Sequence, residues 1–256
     1  ALVSGVSLLG VGLTGVWGLR RLARPSRPEG PPSDACRALV AAAWSGLDPA
    51  RVLDAHVHII GLGVGDSGCY IHEDMLDSLG HPFERMRFEV YRRASQIENL
   101  EHADSEYVDV LIELMRSELH GGRAALIAFD EVYDAEGRPR PEQTRFYTPN
   151  DYVLGLAREH PDLFVPIASV HPARRDALDE LTRVAEAGAV AIKWLPNVQQ
   201  IDPSAEQNQA FFERLVDLEL PLLTHAGEEQ AVDAARHQKL GNPLRLRRPL
   251  DSGVRV

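Results

Sequence analysis

Short apolar runs closed by polar or ionisable residues recur along the chain, separated by stretches of helical periodicity. The first run, Arg51 to Ile60, carries Asp54-Ala55-His56-Val57-His58. Ala124 to Phe129 follows, with Asp130 and Glu131 at its end. Then come Phe164 to His171, Ala189 to Leu195 with Lys193 inside it, and Leu220 to His225. Between the runs, Asp151 to His160, Arg174 to Ala187 and Ala205 to Leu218 repeat their apolar residues at three-to-four spacing, the helical period. In the second of these, Leu178, Leu181, Val184 and Ala185 share a face. A further short helix is predicted over Glu228 to His237. Strands alternating with helices at this spacing predict βαβ units around a parallel sheet. About five βα units are expected, with a sixth strand beginning at Val254.

Upstream the pattern differs. Asp34 to Leu47 predicts a helix with Leu39, Val40, Ala43 and Trp44 on one face. Gly61 to Gly68 is glycine-rich, and His72 to Leu119 reads as mostly helical, so 61–121 forms an insertion after the first strand. Asp134 to Pro149 is turn-rich. Ala1 to Leu19 carries no charge and is followed by Arg20, Arg21, Arg24 and Arg27 among prolines. About 19 apolar residues suffice to span a bilayer, and a basic flank favours the cytoplasmic side. The expected organisation is an apolar anchor or signal with a Pro-rich linker over 1–33, then one domain over 34–256. That domain is expected to be membrane-anchored and cytoplasmic, or exported if the leader is a cleaved signal.

The polar residues fall at strand ends. Side chains two apart on a strand point the same way, so Asp54, His56 and His58 share a face. Two imidazoles side by side on a rigid strand are a ready half-site for a divalent metal. His225, ending a later strand, is the candidate third ligand. In a β/α barrel the carboxyl ends of the strands form the active-site face. Lys193 shares its face with the small Ala189 and Ala191, which leaves room for a charged side chain, whereas Val190, Ile192 and Trp194 face helices. Lys193 is read as catalytic, Asp54 as a partner orienting a ligand imidazole, and Asp130 and His171 as substrate-contacting. Glu228 and Glu229 lie within reach of the same face.

Composition narrows the classes. The chain is 44% hydrophobic and 25% charged, as soluble globular proteins are. A formal net charge of -11 argues against non-specific nucleic-acid binding. The two cysteines, Cys36 and Cys69, fit neither a zinc pair nor a disulfide framework. No glycine-rich loop opens a helix where a phosphate-binding barrel would need one.

Asp54-Ala55-His56-Val57-His58, Ile192-Lys193-Trp194-Leu195-Pro196 and Leu223-Thr224-His225-Ala226-Gly227 resemble the amidohydrolase superfamily. The similarity is greatest to its amidohydrolase-related branch of metal-dependent TIM-barrel hydrolases. The resemblance implies a (β/α)8 barrel and a divalent metal, commonly zinc, held by His56, His58 and His225. It places Lys193 where some members carry a carbamylated lysine bridging two metals. It also implies a sixth-strand histidine and an eighth-strand aspartate. Neither position is reached by Val256, so a partial barrel lacking strands six to eight is expected.

The expected activity is hydrolysis of an amide, ester or lactone carbonyl of a small-molecule substrate through a metal-activated water. Two alternatives stand beside it. One is non-oxidative decarboxylation at the same metal site, a chemistry the resemblance also carries. The other is a non-catalytic, membrane-tethered binding or structural protein with a relict barrel.

Overall fold

The computed structural model describes residues 33–256 except 78, 119, 120, 231, 233 and 235. The apolar stretch Ala1 to Leu19 therefore lies outside the described residues, and so do the expectations of an anchor or signal. Among the described residues no helix is long and apolar enough to cross a membrane. The chain divides into two compact units. One is the chain up to Leu47 together with Asp74–Leu100; the other is Asp48–Glu73 together with Glu101–Val256.

The smaller unit holds α1 (Asp34–Trp44) and α2 (Pro82–Ala94). Ser33 caps α1 by accepting from the Cys36 N–H at 3.2 Å, so the helix starts where a serine before an apolar period predicts. Its apolar face is not covered, because Leu39 and Val40 are exposed. On α2, Glu89 accepts from Arg85 one turn before it and Arg92 one turn after it.

The larger unit contains all the strands: β1 (Leu53–His58), β2 (Tyr70–Ile71), β3 (Arg123–Ile127), β4 (Phe146–Tyr147), β5 (Phe164–Ile167), β6 (Ile192–Trp194) and β7 (Leu222–Thr224). β1, β3 and β5 form one parallel sheet in that order, and β6 pairs in parallel with β7. A parallel bridge between Ala168 and Ile192 connects the two sheets. There the Lys193 N–H donates to the Ala168 carbonyl at 2.7 Å. Among the described residues the parallel strands thus follow chain order without reversal, with no switch point of the doubly wound kind. Helices α3 (Ala103–Glu118), α4 (Asn150–Glu159), α5 (Ala177–Glu186) and α7 (Gln209–Asp217) alternate with them, and a one-turn α6 (Pro196–Gln199) follows β6. A last helix, α8, spans Arg247–Asp251. β2 and β4 pair antiparallel beside this sheet.

Two apolar clusters fill the unit. Ile59, Leu126, Val153 and Phe164 meet Val108, Leu111 and Met115 of α3. Ile192 and Trp194 meet Leu181 and Val184 of α5 and Phe211, Phe212 and Leu215 of α7. The Trp194 and Phe211 rings lie 5.2 Å apart. Truncating any one of these rings costs about 3–5 kcal/mol. Ile192 and Trp194 pack on helices as their period predicts. Val190 does not; it is exposed, because the strand begins only at Ile192.

Three further expectations change. β1 is not a buried strand: Leu53, Asp54, Ala55 and His56 are exposed. Its ladder is with β3 on one edge, and among the described residues no strand pairs with its other edge. The β1–β3 register also shifts between Asp54 and Val57. Such a bulge interrupts strict alternation, and Asp54 takes the His56 backbone N–H at 3.2 Å rather than an imidazole nitrogen. The described residues of 228–237 form no helix; they are irregular apart from a bend at Val232 and a turn at Arg236 and His237. The Gln238 side chain accepts from the Glu229 N–H and donates to the Glu229 carbonyl, occupying backbone groups that a helix would use.

Candidate functional site

The end of β1 presents the histidine pair. His56 Nε2 and His58 Nε2 face each other at 3.0 Å, so one ring carries its proton on that atom and the other does not. The His58 ring stacks on Phe129 at 5.1 Å, just beyond β3, and Phe129 is braced edge-on by Phe146. The strand end is fixed through its carbonyls: Tyr107 donates to the His58 oxygen and Thr148 to the Ile59 oxygen, each at 2.8 Å. Burial pushes His58 down to about 4, helped by His56 and Lys193. Burial and the Lys193 charge also lower His56, against the pull of Asp54. Both rings are therefore neutral near pH 7, the state that donates a lone pair to a metal.

β6 and β7 supply Lys193 and His225. Lys193 is 2% exposed. Burial lowers its ammonium to about 8, with the Glu229 carboxylate working in the opposite direction. The His225 N–H continues the ladder to the Trp194 carbonyl at 3.0 Å. The strands that carry them run parallel, so Lys193 and His225 lie toward the same end of the scaffold as His56. Among the described residues, no group of three or more His, Cys, Asp or Glu closes to metal-holding distance. Two histidine nitrogens nevertheless stand unsatisfied: His58 Nδ1 and His225 Nε2 are buried and have no hydrogen-bond partner among the described residues. A buried orphan nitrogen costs roughly 1–3 kcal/mol. The opposed Nε2 atoms and the orphan His225 Nε2 suit a borderline-soft divalent ion such as zinc.

Asp130 and His171 sit at the expected strand ends but are engaged by protein atoms. Asp130 accepts from the backbone N–H groups of His171 and Glu131 at 2.8 and 2.9 Å. It also pairs with Arg174 at 3.2 Å. Burial raises its carboxyl despite that guanidinium. His171 Nδ1 accepts from the Ala173 N–H at 3.1 Å, which leaves Nε2 to donate to the Gln199 carbonyl at 3.0 Å.

Burial holds the His171 imidazolium down to about 4, although its bond to Gln199 favours the charged form. A histidine with a folded value near 4 contributes stability that is complete above its unfolded value of about 6.5 and is lost as pH falls through 4. The contribution is about 3 kcal/mol. Thermal melts between pH 7 and pH 4 are expected to show this loss, and a His171→Gln variant is expected to show a shallower one.

Three amides that the sequence did not single out hold the loops. Gln199 accepts from the Leu195 N–H at 2.6 Å and donates to the Asp130 carbonyl at 3.2 Å and to Ser169 Oγ at 3.1 Å. Asn197 donates to the Gly227 carbonyl at 3.1 Å and to Gln238 Oε1 at 2.8 Å. The only available signal was Pro196 at the start of a helix. Asp104, on α3, plays the same role for the glycine-rich loop. It is buried and accepts from the N–H groups of Leu62 and Gly63 at 2.6 and 3.0 Å and from the Ser67 hydroxyl. A methyl group at Gly61 would overlap that carboxylate. Cys69 lies in the same loop, buried, with its thiol pushed up to about 11.

A parallel α/β scaffold with histidines and a buried lysine at its strand ends is an arrangement that β/α-barrel proteins share. The comparisons place it further. The sequence model of the amidohydrolase family matches residues 53–251. The chain belongs to this family. Its fold is similar to that of an uncharacterized TIM-barrel protein from Bordetella bronchiseptica, with a TM-score of 0.50 and 14% identity. The similarity covers 78% of this chain and 62% of that one, so the chain spans under two thirds of that protein's length. No curated protein matches the sequence.

Proposed function

We propose that the chain carries the first part of an amidohydrolase-type metal centre and acts on a carbonyl of a small molecule by hydrolysis. The observation that carries this reading is the pair of Nε2 atoms opposed at 3.0 Å at the end of β1. His56 and His58 would hold a divalent metal, zinc for preference, with His225 as third ligand. Bound there, the ion supplies Lewis-acid polarisation and an acidified water. The chain's own groups do the rest. Phe129 fixes the plane of the His58 ring. Lys193, charged below about pH 8, is placed to donate to an oxyanion developing at the same end. We also read the five parallel strands as successive strands of one eight-stranded barrel. Their unreversed order supports this.

The test is the metal content of the purified chain together with turnover of aryl esters, lactones and carboxylic acids. Stoichiometric Zn2+ with ester or lactone hydrolysis is the expected result. Release of CO2 from the acids would move the reading to decarboxylation, and absence of metal from the folded chain would sink both.

A further inference from the structure

The loop after β7 carries a device that the metal reading does not use. His225 Nδ1 lies 3.9 Å from Glu229 Oε2, and the Glu229 side chain is 10% exposed. The other oxygen, Oε1, is occupied by the Val232 N–H at 3.3 Å. The carboxylate is thus held with one oxygen on backbone and the other toward the imidazole. On the opposite side of that ring, Nε2 is buried and has no partner among the described residues. The backbone of Glu229 is clamped in turn. Its N–H donates to Gln238 Oε1 at 2.8 Å, and Gln238 Nε2 donates back to the Glu229 carbonyl at 2.6 Å. Asn197 Nδ2 ties the same Gln238 oxygen and the Gly227 carbonyl to α6. The Gly227 N–H reaches the Gly241 carbonyl at 2.7 Å, and a side chain at Gly241 would overlap the Gly227 carbonyl.

We infer that Glu229, held by the Gln238 and Asn197 clamp, is the positioning residue that selects the Nδ1–H tautomer of His225 and so leaves Nε2 as the electron-pair donor. A carboxylate beside one imidazole nitrogen keeps the proton there and turns the other nitrogen outward. Gln238 and Asn197 act one step further out, through the Glu229 backbone, and touch neither the imidazole nor a ligand. The inference rests on the metal-centre reading for its purpose, because a lone pair on Nε2 matters only if an electrophile meets it.

The test is long-range proton–nitrogen NMR of the histidine rings in metal-free protein, for wild type, Glu229→Ala and Glu229→Gln. Melting temperatures of all three check the fold. The wild type is expected to show His225 protonated on Nδ1. Glu229→Ala is expected to shift the proton toward Nε2 at an unchanged melting temperature. Glu229→Gln, which keeps an acceptor oxygen, is expected to restore the Nδ1–H form in large part. The same tautomer in wild type and in folded Glu229→Ala would overturn the inference. A second variant, Gln238→Ala, leaves the carboxylate present but unclamped, and an intermediate tautomer ratio is expected. Zn2+ affinity, read by competition with a chromophoric chelator, is expected to fall about 10–100-fold in Glu229→Ala. A tautomer that responds to Glu229→Ala in a chain that takes up no Zn2+ would overturn the metal reading and leave this inference standing.

Discussion

The double variant His56→Ala/His58→Ala is expected to take up no Zn2+ and to lose activity by at least about 1000-fold, a barrier change of roughly 4 kcal/mol. Removing the pair deletes both halves of the only strand that offers two imidazole nitrogens within 3.0 Å of each other among the described residues. The fold is expected to survive, because His56 is exposed and β1 keeps its ladder with β3. Metal analysis and activity on the same preparation, with circular dichroism to check folding, decide the matter. Retention of stoichiometric metal in the double variant would remove the pair from the centre. The single variants are expected to differ. His58 stacks on Phe129, so His58→Ala also opens a gap in the packing, whereas His56→Ala removes a proposed ligand with little loss of contact.

Asp130→Ala is expected to be the most destabilising single polar substitution outside the histidine pair. Its carboxylate is almost fully buried and joins the backbone of His171 and Glu131 to the Arg174 guanidinium. Taking it away leaves the N–H groups of His171 and Glu131 without their acceptor, while Arg174 keeps Asp176, and the combined cost is about 3–5 kcal/mol. For a domain of this size the melting temperature is expected to fall by about 10 °C. Arg174→Ala is expected to cost less, because Arg174 is partly exposed and Asp176 is solvated at its surface. The double variant Asp130→Asn/Arg174→Met is expected to recover most of the loss, since neither a lone charge nor an open space remains. A double variant no more stable than Asp130→Ala would show that the carboxylate matters for its backbone contacts and not for the pair.

Much of this architecture was legible in the sequence, and the parts that were not have a common cause. Strands closed by His58, Asp130, His171, Lys193 and His225 announced themselves because burial demands apolar runs, while the polar closing residues stand out against them. The α5 and α7 faces were legible for the same reason: Leu181, Val184, Phe212 and Leu215 repeat at the helical period and are buried. What stayed hidden depends on partners far along the chain. Asp130 meets Arg174 across 44 residues. The two-residue strands β2 and β4 pair Tyr70 with Tyr147, and no local period marks so short a ladder. The bulge in β1 depends on β3, so Asp54 could be placed on the histidine face by alternation and still turn its carboxylate to the backbone. The amides Asn197, Gln199 and Gln238 lack any periodic signature, because their partners are backbone groups and polar side chains, most of them distant in sequence.

Carbonyls at and just beyond the ends of the parallel strands are tied off by side chains: Tyr107 on His58, Thr148 on Ile59, Trp194 on Val170 and Ser169 on Lys193. Tyr107 lies in α3, Trp194 in β6 and Thr148 in a bridge, and Ser169 directly follows the Ala168 bridge. The Ser169 hydroxyl that ties Lys193 also accepts from Gln199 of α6, and Gln199 donates on to the Asp130 carbonyl. Strand ends and connecting segments thus form one hydrogen-bonded network. A substitution in a connecting segment is therefore expected to be felt at the strand ends as well as locally.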